Sequence, residues 1–139
     1  MLVQGPLALD WGNRKWGFLP GLENAALTVG NPPTVRRLRL WVRQHIAVEG
    51  QPDWAFVKAH THGMSATGLG LFQDGTMARI FRSMQETCGG GEGWRIHYAS
   101  AREMFNIIRA AEDGRKGTPG DYRDYAVGPP PCLRRNPGG

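Results

Sequence analysis

Cysteine is nearly absent from this chain: Cys88 and Cys132 are the whole supply among 139 residues. Two unpatterned cysteines support neither a disulfide framework nor a thiolate metal site, so a reduced, cytoplasmic setting is expected. Long apolar runs are missing too. None approaches the roughly 18 residues that a membrane helix needs, so neither a spanning segment nor a membrane partner is expected. The start, Met1-Leu2-Val3-Gln4-Gly5-Pro6, has no basic region ahead of a long apolar stretch, and no signal peptide is expected. The Gly-rich stretch 89–93 lacks the Lys-Ser/Thr of a phosphate loop, which argues against nucleotide binding.

What replaces these features is backbone freedom. Glycine supplies 20 residues and proline 10, while apolar residues make up 40% and charged residues 21%. Irregular backbone is therefore expected to be plentiful around one modest core. Net charge is +5, from 17 Lys and Arg against 12 Asp and Glu. Arg36, Arg37, Arg39 and Arg43 share one candidate helix, and Arg134-Arg135 lie near the end. Such patches can meet phosphates, but no nucleic-acid-binding motif accompanies them. A solvated helix face and a basic tail are expected instead.

The pattern of residues predicts strand, loop, helix, strand, helix, strand, helix and tail. Residues 2–9 read as a buried strand, with Pro6 placing it at an edge or an irregular entry. Residues 12–33 read as one long loop. Thr34 is a credible N-cap for a helix over 35–46, with Val35, Leu38, Trp41, Val42, His45 and Ile46 as its stripe. Trp54–Ala59 reads as a second strand, followed by a Gly-rich loop over 63–75. A helix over 76–87 carries Met77, Ile80, Phe81 and Met84 on one side. Residues 94–99 read as a third strand. Ser100 and Glu103 then form a capping box for a helix bearing Met104, Ile107, Ile108 and Ala111, with Gly114 as its stop. Residues 1–114 form one α/β domain in this reading, and 115–139 a mobile Pro/Gly-rich tail, with Tyr122 and Tyr125 available to pack back. Strands alternating with helices imply a small parallel sheet of βα units. Its open edges call for more strands or a second copy of the chain.

His60-Thr61-His62-Gly63 is the most informative motif. On a strand His60 and His62 project the same way, with Lys58 behind them. Gly63 lets the chain turn away. Two imidazoles at a strand tip suit acid–base work or metal ligation, for example of zinc. The competing reading is a merely polar corner. Lys58 suits a carboxylate or phosphate, or it is a surface lysine. Glu23-Asn24 can reach substrate from the long loop, or it is an ordinary polar pair. Trp11, Trp16 and Trp54 either stack on sugar rings or pack in the core or a lid.

Three stretches carry a family resemblance: Gly5–Trp11, Pro52–Gly63 and His97–Ile108. Over roughly 1–125 the succession of elements resembles the C-terminal part of bacterial polysaccharide-deacetylase-like proteins, the NodB-homology carbohydrate esterases. The resemblance implies the last strands and helices of a (β/α) barrel. It places His60 where a late histidine assists the leaving group, and it makes 94–113 the closing strand and helix. His62 becomes a candidate ligand for a divalent metal, while Asp10 and Trp11 orient and line the site. The family's early Asp-Asp and His-x-x-x-His motifs have no counterpart in these 139 residues. A truncated or degenerate carbohydrate deacetylase, inactive as an isolated chain, is what the resemblance implies. The rival expectation is a non-catalytic module binding a glycan or a protein. A basic nucleic-acid-associated protein is the third.

Overall fold

The computed structural model describes residues 1–61, 66–73, 75–89 and 93–130. It is mixed α/β, and its contacts divide it into two compact units. The larger comprises Met1–Ala47 and Pro52–Ile96; the smaller comprises Val48–Gln51 and the chain from His97 onward.

The sheet of the larger unit is a two-stranded antiparallel hairpin, β1 (Ala8–Lys15) and β2 (Leu19–Glu23). Ala8 pairs with Glu23, Leu9 with Leu22 and Asp10 with Gly21. The side chains of Ala8, Asp10 and Glu23 therefore point inward, whereas Leu9 and Leu22 face solvent together. The register then slips, and residues 11–13 bulge out before Arg14 meets Pro20. Gly21 is required opposite that bulge, because a Cβ there would lie 2.5 Å from the Asn13 carbonyl oxygen.

This hairpin corrects three expectations. The strand foreseen over 2–9 lies instead at 8–15, and the loop foreseen over 12–33 contains β2. The pairing is antiparallel, not parallel. Among the described residues, Trp54–Ala59 and 94–99 join no ladder. The parallel contact that does form is an isolated bridge between Ala26 and His60. A short apolar run reads as a strand from periodicity alone, yet it can equally be extended chain laid on a core. Here Val57 and Ile96 do the latter.

Helix α1 (Val35–Arg43) starts as expected on Thr34, whose hydroxyl accepts from the Arg37 amide. It stops three residues short of the expected 46, because His45 takes a left-handed conformation with φ 48°. Helix α2 (Ala66–Gln73) occupies part of the expected loop 63–75. Helix α3 (Thr76–Gly89) follows where a helix was expected. The core forms where Leu38 and Trp41 of α1 meet Met84 of α3 and the segment Ala25–Leu27, with Met77, Ile80 and Phe81 packed against them. The expected stripes bury at Leu38, Trp41 and Val42 of α1 and at Met77, Ile80, Phe81 and Met84 of α3, whereas His45, expected on the α1 stripe, is exposed.

The smaller unit is built on α4 (Ala101–Glu112), with the capping box in place: Ser100 and Glu103 bond each other's backbone reciprocally. Residues 115–130, foreseen as the start of a mobile tail, are instead tied to this helix. Asn106 is fully buried; its amide donates to the carbonyls of Arg123 and Val127 and accepts from the amides of Ala126 and Val127. Arg102 adds bonds to Asp124 and Val127. A 3-10 turn, Pro119–Tyr122, and an edge-on Tyr122–Tyr125 pair complete it. The basic end beyond residue 130 lies outside the described residues.

Candidate functional site

Three residues singled out by sequence come together in space. Asn24, Lys58 and His60 line one open hollow of about 430 Å³ with Gln4, Gly5, Pro6 and Leu7. The backbone explains why. Leu27 donates to the His60 carbonyl at 2.7 Å, and His60 donates to the Ala25 carbonyl at 3.1 Å. That bridge brings residues 58–60 beside the chain leaving β2. Lys58 Nζ reaches the Val3 carbonyl at 3.1 Å, drawing in the N-terminal segment. Gly5 passes so close that a Cβ would stand 3.1 Å from the Lys58 carbonyl oxygen. The hollow is thus lined by a lysine, a histidine, a glutamine and an asparagine around the Gly5-Pro6 backbone.

The other nominated residues are elsewhere. Asp10 is buried beneath the hairpin, paired with Arg36, and its carboxylate also accepts from the Gly12 amide at 2.9 Å. The Arg36 bond, foremost, holds the Asp10 carboxyl below its ordinary value, against the opposing effect of burial. Trp11 is 59% exposed on the outer face of β1. Glu23 is 4% exposed and points away from the hollow that its neighbour Asn24 lines.

Glu23 belongs to a structural network that sequence reasoning missed. Arg37, 2% exposed, grips it with Nε at 2.7 Å from Oε2 and Nη2 at 2.8 Å from Oε1. The remaining guanidinium hydrogens go to the carbonyls of Ala26, Asn31 and Pro32. Trp41 Nε1 and the Ala25 amide complete the carboxylate's partners. Burial, the largest single influence, pushes the Glu23 carboxyl upward, but the bonds from Arg37, Trp41 and Ala25 together hold it below its ordinary value. The arginine helix is therefore not uniformly solvated: Arg36, Arg39 and Arg43 are exposed, whereas Arg37 is core. One signal was available. Arg37 stands four residues before Trp41 and three after Thr34, on the inward stripe, and an arginine there requires a buried carboxylate.

The residue types that line the hollow can carry a positive charge and donate hydrogen bonds. Among the described residues no three His, Cys, Asp or Glu side chains come together as a catalytic zinc site would require. The expected metal ligand His62 lies outside the described residues. No helix among the described residues is long and apolar enough to cross a membrane. Comparison with protein-family models, with curated proteins and with solved structures finds no match for this chain.

Proposed function

We propose that this chain is a non-catalytic binding module whose hollow around Lys58 and His60 takes a small, hydroxyl-rich anionic ligand, an acidic sugar being the class that fits. The observation that carries this reading is the convergence of Asn24, Lys58 and His60 with Gln4 on one concave surface. An ammonium meets a carboxylate as a point charge. The amides of Gln4 and Asn24 offer donors and acceptors of the kind that hydroxyls require. The volume falls within the range of small-molecule sites.

Calorimetric titration of the full chain with a uronic-acid disaccharide and with its neutral counterpart tests this. The acidic sugar binds, the neutral one binds more weakly, and Lys58→Met lowers affinity for the acidic sugar about tenfold. Equal, Lys58-independent affinity for both sugars, or none, overturns the reading.

A deacetylase-like hydrolase is the second reading, supported by the place of His60 at the hollow. Hydrolysis needs a polarised water and an acid for the leaving group, and His60 supplies at most the latter. Acetate release from an acetylated sugar with added zinc, abolished in both His60→Ala and His62→Ala, would favour it over simple binding.

A further inference from the structure

The tip of the hairpin is built at odds with its own conformation. Trp16 and Gly17 close β1 onto β2 with successive left-handed φ values of 52° and 81°. Glycine or asparagine suits such a position; a bulky aromatic there is strained. Packing does little to offset this, since Trp16 is 81% exposed. Phe18 follows at 67% and Leu19 at 42%. Behind them on the same hairpin, Trp11, Leu9 and Leu22 are each more than half exposed. Where a local rule is broken without structural gain, function is the place to look.

Charge identifies what this apolar end meets. Residues 1–48 carry six basic side chains and two acidic ones. Both acids, Asp10 and Glu23, are buried and engaged by Arg36 and Arg37. Arg14 and Lys15 stand immediately before the tip, and the hairpin presents no exposed carboxylate beside them. Indole, phenyl and leucyl groups flanked by Arg and Lys are the composition that settles at the boundary between acyl chains and anionic headgroups. Nucleobases would stack on Trp16 but leave Leu9, Leu19 and Leu22 without complementary faces. A folded protein partner would have to bury about 1,000 Å² against a narrow turn.

We propose that this hairpin is a membrane-surface anchor: Trp16 and Phe18 enter the headgroup boundary of an anionic bilayer while Arg14 and Lys15 contact its phosphates. Such a contact lies in the interface and needs no spanning helix, so it is independent of the short apolar runs of the sequence.

Flotation of the full chain with phosphatidylcholine vesicles, with and without about one-third phosphatidylserine, tests the proposal. The chain floats with the anionic vesicles, less so as salt rises. The double variant Trp16→Gly/Phe18→Ser lowers vesicle affinity at least about tenfold. Glycine relieves the strained φ, so this variant keeps its melting temperature, and the loss is not one of folding. Arg14→Glu/Lys15→Glu lowers affinity at least about thirtyfold. Equal binding to neutral and anionic vesicles, or wild-type binding by either double variant, overturns the proposal. Retention of a single-stranded oligonucleotide at concentrations where vesicles are ignored also overturns it and assigns the tip to nucleic acid.

Discussion

Arg37 spends every hydrogen of its guanidinium on Glu23 and on three carbonyls of the 26–32 segment, so one buried side chain holds β2, the long loop and α1 together. Removing it leaves a buried carboxylate without its countercharge and three carbonyls without the guanidinium that donates to them. Arg37→Met is expected to destabilise the chain by about 3–5 kcal/mol in urea unfolding. Arg37→Lys does not recover the loss, because three rotatable donors on a point charge cannot reproduce the planar fork.

The same carboxylates set the acid limit of the fold. Asp10 and Glu23 both have folded values below their unfolded ones of about 3.9 and 4.3. Each therefore binds protons more readily when unfolded. Their stabilisation is fully present above the unfolded values and is lost as pH falls through the folded ones. Melting temperature is expected to be flat from about pH 7 to 5 and to drop below about pH 4. In Glu23→Gln that drop is shallower. A melting temperature unchanged down to about pH 2 would contradict this.

Asn106 plays in the smaller unit the part Arg37 plays in the larger. Its truncation strands the amides of Ala126 and Val127 and leaves the carbonyls of Arg123 and Val127 to Arg102 alone. Asn106→Ala is expected to cost about 3 kcal/mol, with hydrogen exchange at Ala126 and Val127 rising ahead of exchange within α4. Uniform acceleration across α4 would show that the turn carries no stability of its own.

The end of α1 offers a gain. His45 is exposed and held at φ 48°, a conformation that glycine adopts freely. His45→Gly is expected to raise stability by up to about 1 kcal/mol, since a helix that ends in a left-handed residue favours glycine there. A loss on thermal unfolding would mean that the imidazole makes a compensating contact.

Gly21→Ala tests the hairpin register. The added Cβ meets a backbone oxygen that cannot rotate away, so the bulge at 11–13 must shift. About 2 kcal/mol or more of destabilisation is expected, together with a changed environment at Trp11 in its fluorescence.

How much of this could be read in advance differs by element. Periodicity of 3.6 marked α1, α3 and α4 because each helix carries its own buried stripe, and caps at Thr34 and Ser100 are local hydrogen bonds among neighbours in the chain. The hairpin escaped because its bulge breaks the alternation of side chains and because Trp16-Gly17 is not a turn pair that composition announces. His60, Lys58 and Asn24 were nominated by residue type. Their meeting around Gly5 rests on a bridge between Ala26 and His60, residues that no local rule relates.

The sequence by itself determined helices α1, α3 and α4, the apolar part of their inward faces and the surplus of cations, because these depend on residues within a turn or two of one another. Tertiary structure alone decided which cations stay in solvent, that the strands run antiparallel, and that Glu23 is a strut while Asn24 faces a hollow. Those outcomes depend on which distant group satisfies each buried donor or acceptor. A buried arginine tolerates only an arrangement that meets all its hydrogens, and that condition is written in space, not along the chain.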